Sequence, residues 1–196
     1  MRRQFALFLL AATILLGCPS VAFANAGIPM IGITLGWMLV CLVPVVFIEG
    51  FVIRRVTEAQ ADRSYSVSAI ANVASLLVGV PITWFLLTLI QGATGGGSLI
   101  GVETAMQRFL TVTWSAPWLA PDERNLYWII PSAMMVLLVP YFFVSWLIEH
   151  WIARWLLRDV EKVRVRRAVF LANAITYGLM EAVVLGIGVW WVVGRP

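Results

Sequence analysis

Two carboxylates and two carboxamides recur at matching positions inside long apolar segments of the sequence. Glu49 lies near the end of one such segment, and Asn72 lies near the start of the next. Glu149 and Asn173 occupy the corresponding places about 100 residues later, which predicts an internal repeat. Charged and amide side chains are costly inside a membrane, so a polar layer of this kind either joins helices by hydrogen bonds or binds an ion.

An arginine follows each glutamate by five residues, at Arg54 and Arg154. One role of these residues is structural: two ion pairs that cross between the copies, Glu49 with Arg154 and Glu149 with Arg54. The other role is functional, with the glutamates, the asparagines and the arginines forming an ion site or a gate. We expect this layer about 7 to 9 Å in from the cytoplasmic ends of the helices, with Ser75 and Thr176 extending it.

The spacing Glu-x-x-x-x-Arg on two helices is similar to that of the light-harvesting chlorophyll-binding family. The resemblance covers about a dozen residues and implies Glu–Arg pairs that cross between the two copies. The histidine or asparagine that the family places three residues after the glutamate is Val52 or Ile152 here. The resemblance therefore supplies no pigment ligand at these positions, and we predict no cofactor.

Glu181 is a further candidate because it has no counterpart in the first copy, where Val80 or Pro81 stands. It shares one helical face with Tyr177 and Asn173, since the three residues recur at four-residue spacing. A carboxyl group near the middle of a membrane must be protonated, paired or in contact with water. We therefore interpret Glu181, with Tyr177 beside it, as a mid-membrane functional candidate.

The composition predicts which elements position these residues. Of the 196 residues, 61% are hydrophobic and only 12% are charged, and the mean hydropathy is +0.91. Those values indicate an all-α integral membrane protein. Four apolar segments are long enough to cross a bilayer: residues 28–53, 67–90, 127–151 and 168–193.

The distribution of basic residues predicts the topology. The loops at 54–66 and 152–167 carry most of the arginines, so we place both in the cytoplasm and both termini of the mature chain outside. The two hairpins then have the same orientation, as tandem parallel repeats. The concentration of arginines in these two loops also explains the net charge of +4, so we predict no nucleic-acid partner.

The N-terminal residues 1–24 resemble a secretory signal peptide, with Arg2 and Arg3, an apolar core and an A-x-A-like end. Lipidation at Cys18 and an uncleaved anchor helix are the alternatives. The remaining divisions are a first hairpin at 25–90, an extracytoplasmic loop at 91–126 and a second hairpin at 127–196. Within the loop, apolar spacing predicts a short helix over 99–114, which either lies in the outer membrane interface or packs on the top of the bundle. These features indicate the inner membrane of a bacterial-type cell.

The sequence contains no catalytic motif and no set of metal-ligating residues, so we predict no enzymatic activity and no metal site. Two functions remain. The first, which the modest polar content and the unequal proline positions of the two copies favour, is an accessory, assembly or scaffold component of a membrane complex, in contact with the bilayer and with other membrane proteins. The alternative is a small ion- or proton-coupled transporter or channel that uses Glu181 and the Glu49/Glu149 layer, as a homodimer because four helices are few for one carrier.

Overall fold

The computed structural model describes residues 27–95, 100–120 and 124–194. The predicted signal peptide at 1–24, including Cys18, lies outside these residues and stays a prediction.

The described chain consists of helices with short connections and one two-stranded ladder. In chain order the elements are β1 (Ile28–Pro29), α1 (Met30–Thr57), α2 (Ala61–Ala74), a π-helical turn (Ser75–Gly79), α3 (Val80–Ala93), α4 (Ala105–Trp114), β2 (Trp118–Leu119), α5 (Leu126–Leu156) and α6 (Lys162–Val193). The π-helical turn joins α2 and α3 into one continuous helix. α1, α2–α3, α5 and α6 are four helices long and apolar enough to cross a membrane, which confirms the predicted helical class.

The four helices surround a common core. α1 packs on α2, α2 packs on α5, α5 packs on α6, and α6 packs back on α1. We call α1 with α2–α3 the first hairpin and α5 with α6 the second hairpin. The turn end is the end of the bundle at residues 58–60 and 157–161, and the loop end is the end that holds β1, β2 and α4.

The membrane helices are longer than the sequence predicted. The predicted loops at 54–66 and 152–167 are mostly helical, and the connections shrink to residues 58–60 and 157–161. Arginine, lysine and glutamate are good helix formers, so these stretches extend the apolar helices beyond their hydrophobic part. Arg54 and Arg55 lie in the last turn of α1, where a positive charge is favourable to the helix dipole.

A π-helical turn breaks the regularity of the first hairpin. It spans Ser75–Gly79 and ends two residues before Pro81, in the first turn of α3. Proline cannot donate a backbone hydrogen bond, and the wider turn adjusts the helix on its N-terminal side. The Thr83 hydroxyl donates to the Gly79 carbonyl at 2.7 Å and satisfies a backbone oxygen at the end of that turn.

The loop between the hairpins contains the predicted short helix, at Ala105–Trp114 instead of 99–114. Thr104 caps it: its hydroxyl accepts from the Gln107 amide, and the Gln107 side chain accepts from the Thr104 amide. Met106 and Phe109 are exposed on one face. The strand β2 then pairs antiparallel with β1 and holds this loop against the start of α1.

The core divides into two apolar clusters along the bundle axis. The larger cluster fills the loop half, and the smaller fills the turn half. The turn-half cluster consists of Ile53, Val67, Ala153, Leu157, Val165, Ala168 and Val169, each at most 2% exposed. The predicted polar layer lies between the two clusters.

Candidate functional site: a buried carboxyl pair between the hairpins

The Glu49 carboxyl group accepts one hydrogen bond from each hairpin. The Asn72 amide donates to its Oε2 atom at 2.6 Å, from the neighbouring helix of the same hairpin. The Thr176 hydroxyl donates to its Oε1 atom at 2.7 Å, from the second hairpin. Glu49 therefore links α2 and α6 through one side chain.

The Glu149 carboxyl group repeats this arrangement. The Asn173 amide donates to its Oε2 atom at 2.6 Å, again within one hairpin. The Ser75 hydroxyl donates to its Oε1 atom at 2.7 Å, from the first hairpin. Each of the four carboxyl oxygens in the layer thus has one donor, and two of the four bonds cross between the hairpins.

The two glutamates are buried and face each other. Glu49 is 1% exposed and Glu149 is 2% exposed. Their carboxyl groups are neighbours in the layer, because two donors three residues apart on α2–α3, and two more on α6, reach one glutamate each. The sequence predicted that symmetry would bring the four polar residues together, and in the structure they form one connected cluster.

The backbone fixes the direction of both amides. The Asn72 amide also donates to the Ser68 carbonyl at 3.0 Å, and the Asn173 amide donates to the Val169 carbonyl at 3.2 Å, each one helical turn earlier. A side-chain amide held by its own helix in this way points its second N–H bond at the glutamate.

A close approach between α1 and α2 positions Glu49. A Cβ atom on Gly50 would lie 2.3 Å from the ring of Tyr65, so only glycine allows this contact. One helical turn further into the bundle, the Ser68 hydroxyl donates to the Val46 carbonyl at 3.0 Å. These two contacts bring the helices near enough for Asn72 to reach Glu49.

The predicted Glu–Arg pairs are wrong. Among the described residues, no ion pair joins Glu49 to Arg154 or Glu149 to Arg54; Arg54 is exposed and Arg154 is half-buried. Five residues of α-helix turn the chain by about 140° beyond a full turn, so an arginine at that spacing points away from the face that buries its glutamate. Arg54 and Arg154 are therefore not members of the hydrogen-bonded layer, and the pairing implied by the light-harvesting family does not form.

The layer is deeper than predicted. Glu49 lies eight residues before the end of α1 and Glu149 seven before the end of α5, which corresponds to about 10 to 12 Å along the helix. Asn72 and Asn173 are each eleven residues into their helices, or about 16 Å. The prediction of about 7 to 9 Å was too shallow, because it ended the first and third helices too early and began the second and fourth too late.

A small cavity lies beside Glu149. Its volume is about 30 Å³, and its polar lining comes from Asn72, Ser75, Ser145, Glu149 and Tyr177. The Ser145 and Tyr177 hydroxyls are hydrogen-bonded to each other at 2.8 Å, and both side chains are buried. The sequence argument overlooked Ser145, although it precedes Glu149 by four residues and therefore shares its helical face.

Glu181 is separate from the carboxyl pair. It lies one turn beyond Tyr177 on α6, but the Tyr177 hydroxyl is bound to Ser145. The Glu181 side chain is half-buried, and its Oε2 atom is buried with no hydrogen-bond partner among the described residues. The structure thus places the predicted candidate near the cluster, with no bond to it.

A second cross-hairpin contact lies at the turn end. The Arg63 guanidinium donates to both carboxylate oxygens of Asp159, at 2.7 Å for one of them, and to the Leu156 carbonyl at 2.7 Å. The hydrogen bonds from Arg63 hold the pKa of Asp159 below its usual value. Arg63 and Asp159 are on the surface, and they connect the start of α2 to the turn after α5.

Within residues 27–95, 100–120 and 124–194, no group of three or more His, Cys, Asp or Glu side chains is placed to share a metal ion. Comparisons of the chain with protein-family models, with curated proteins and with solved structures gave no match.

Proposed function

We propose that the protein is a small proton-coupled transporter or channel whose proton site is the Glu49–Glu149 pair. The observation that carries this proposal is the placement of two buried carboxyl groups side by side in one hydrogen-bonded layer, with no ion pair to either among the described residues. Two negative charges side by side repel strongly where the dielectric constant is low. The pair therefore holds at least one proton, shared between the two glutamates.

The surrounding donors suit a site that changes its charge. Both Asn72 and Asn173 donate N–H bonds to carboxyl oxygens, and two hydroxyls do the same. Hydrogen bonds to a carboxylate stabilise its charged form, so the layer can lose and regain its proton without leaving a bare charge in the membrane. A purely structural layer would be as well served by uncharged amides.

The arrangement also supports the internal repeat and its orientation. The two halves make the same bonds with the same types of donor, as two tandem hairpins related by a pseudo-two-fold axis along the membrane normal would. The basic residues near the turn end favour that end in the cytoplasm of an inner membrane, with both mature termini outside. The bilayer and a second copy of the chain are the proposed partners.

The second candidate is an accessory or scaffold component of a membrane complex, with no enzymatic activity. One observation favours it: every carboxyl oxygen of the layer already has a donor, so the layer can act as a permanent seam between the hairpins. The cavity beside Glu149 is also too small for any substrate larger than water.

Proton flux in proteoliposomes distinguishes the two functions. The purified chain is reconstituted with a pH-sensitive dye inside the vesicles, and acidification is followed after an imposed pH difference. We expect flux from the wild type and loss of flux in Glu49→Gln and Glu149→Gln. The matched control is Glu58→Gln, because Glu58 is exposed at the turn after α1.

The result that would overturn the transport proposal is an absence of wild-type flux above protein-free vesicles. Recovery of a stable partner complex in mild detergent, together with that result, would support the scaffold function. Glu181→Gln separates the two candidate carboxyl sites. Flux that is retained in this variant supports the pair as the proton site, and flux that is lost only in this variant would contradict it.

A further inference from the structure

The surroundings of the carboxyl pair differ on its two sides along the bundle axis. On the turn side, the layer is followed by the apolar cluster that includes Ile53, Val67 and Val165. Ser68, Ser64 and Thr57 are also buried on this side, but each of their hydroxyls donates to a backbone carbonyl. A carbonyl oxygen only accepts, so these hydroxyls do not pass a proton from one to the next. On the loop side, hydroxyl groups that bond to each other follow.

Two of these hydroxyls lie next to Glu149, on its side towards the loop end. Ser145 precedes Glu149 by one helical turn, and its hydroxyl is bonded to that of Tyr177 at 2.8 Å. Ser145 is 3% exposed and Tyr177 is 8% exposed, so this bond is shielded from the lipid. A bonded pair of hydroxyls can pass a proton, because each oxygen both donates and accepts.

The cavity is lined by Ser145 and Tyr177 and also by Glu149. Its volume of about 30 Å³ has room for one water molecule, which needs roughly 10 to 15 Å³ of this kind of space. The polar groups that line it can supply the two to four hydrogen bonds that a buried water makes. A single water molecule would thus connect the Ser145–Tyr177 pair to Glu149.

The first hairpin has no such connection. At the repeat spacing, Ser145 corresponds to Val45 and Tyr177 corresponds to Leu76, neither of which can donate or accept a proton. The π-helical turn at Ser75–Gly79 also belongs to the first hairpin only, and its first and second residues line the cavity. Turns of this type are frequent at functional sites.

We propose that protons reach the carboxyl pair from the loop end, through the Tyr177–Ser145 hydroxyl pair and one water molecule beside Glu149. In each transfer a hydroxyl gives its proton to the next oxygen and accepts another from the loop side, so its charge is unchanged afterwards. Glu149 is then the glutamate that receives the proton, and Glu49 shares it. The inference rests on the proposed function of the pair as a proton site.

Two buried polar groups continue the route towards the loop end. The Tyr141 hydroxyl lies one turn beyond Ser145 on α5, next to Thr34. The buried Oε2 atom of Glu181 lies one turn beyond Tyr177 on α6 and has no hydrogen-bond partner among the described residues. A polar atom left unpaired at this depth is costly, and water that enters from the loop end would satisfy it.

Hydrogen–deuterium exchange of the carboxyl pair tests the route. The infrared carbonyl stretch of a protonated carboxyl group shifts when its proton is replaced by deuterium, and the rate of that shift is measured after rapid transfer of the reconstituted chain into deuterated buffer. The measurement is made in a Glu181→Gln background, so that the pair is the reporting group.

We expect Tyr177→Phe and Ser145→Ala to slow this exchange by about tenfold or more, since a positioned proton-transfer group typically contributes a factor of about 10² or more. Matched controls are Tyr127→Phe, at the start of α5 and outside the cavity lining, and Ser132→Ala, on α5 with its hydroxyl bonded to the Trp128 carbonyl. A thermal melt of each variant in detergent shows that it is folded.

Wild-type exchange rates in Tyr177→Phe and Ser145→Ala would overturn the route. Slowed exchange in both variants without wild-type proton flux would support the route and contradict transport. A missing carboxyl band in the reference chain would contradict the shared proton itself, and the route with it.

Discussion

The Thr176 hydroxyl donates to the Glu49 carboxyl group at 2.7 Å, although the two residues are 127 positions apart and lie on different hairpins. Its counterpart joins Ser75 to Glu149 over 74 positions. Each hairpin therefore completes the other's glutamate, and neither carboxyl group would have all its donors in an isolated hairpin. This reciprocal bonding is why we treat the two glutamates as one site.

The cross-hairpin hydroxyls are expected to stabilise the bundle. Thr176→Val and Ser75→Ala each leave a buried carboxyl oxygen without its donor, which should lower the free energy of unfolding by about 1 to 3 kcal/mol. Unfolding by denaturing detergent in mixed micelles measures this. Thr113→Val is the control, because its hydroxyl bonds only to carbonyls of its own helix. Losses no greater than in that control would contradict the cross-hairpin bonds.

Coupling energies should follow the observed bonds and not the Glu–Arg spacing. In a double-mutant cycle, Glu49→Gln and Thr176→Val should be non-additive, because the two side chains are in contact. Glu49→Gln and Arg154→Gln should be additive within about 0.5 kcal/mol, since no bond joins them. The unfolding assay measures both cycles. Coupling found only in the second cycle would contradict the observed bonds and support an ion pair between Glu49 and Arg154.

Gly50 should tolerate no side chain. A Cβ atom there would lie 2.3 Å from the Tyr65 ring, so Gly50→Ala must displace that ring or push α1 and α2 apart, and should cost about 1 to 3 kcal/mol. Gly178→Ala is the matched control, because a Cβ atom at that position meets nothing within 4 Å. Thermal melts of the two variants compare them directly. Equal melting temperatures would show that the close approach beside Glu49 has no energetic importance.

The Arg63–Asp159 contact makes the stability of the turn end depend on pH. The pKa of Asp159 is lower in the folded chain than its ordinary value of 3.8, so its contribution is complete above that value and is lost as the pH falls through the folded pKa. We expect Asp159→Asn to melt below the wild type at neutral pH, with a difference that narrows in acid and in high salt. A difference in melting temperature between Asp159→Asn and the wild type that stays constant across the pH range would contradict this prediction.

The sequence predicted the helices and the members of the polar layer, because apolar length and the cost of buried polar groups are local properties. Glu49, Asn72, Glu149 and Asn173 were found in this way. Which donors cross between hairpins depends on how four helices pack in a ring, and spacing alone does not determine that.

The errors have the same origin. Arg54 looked like an ion-pair partner because the sequence shows distance along the chain, whereas the angle around the helix directs the side chain away. The π-helical turn at Ser75–Gly79 has no clear signature except the nearby Pro81. Ser145 was within reach of the sequence argument, since it lies four residues before Glu149 on the same face.

The central claim is that Glu49 and Glu149 share a proton, and infrared spectroscopy at neutral pH tests it most directly. In the reconstituted Glu181→Gln chain, we predict the carbonyl band of a protonated carboxyl group. The band should disappear or shift in both Glu49→Gln and Glu149→Gln and persist unchanged in Glu58→Gln. Absence of the band in the reference chain, or its persistence unchanged in both glutamine variants, would contradict the shared proton.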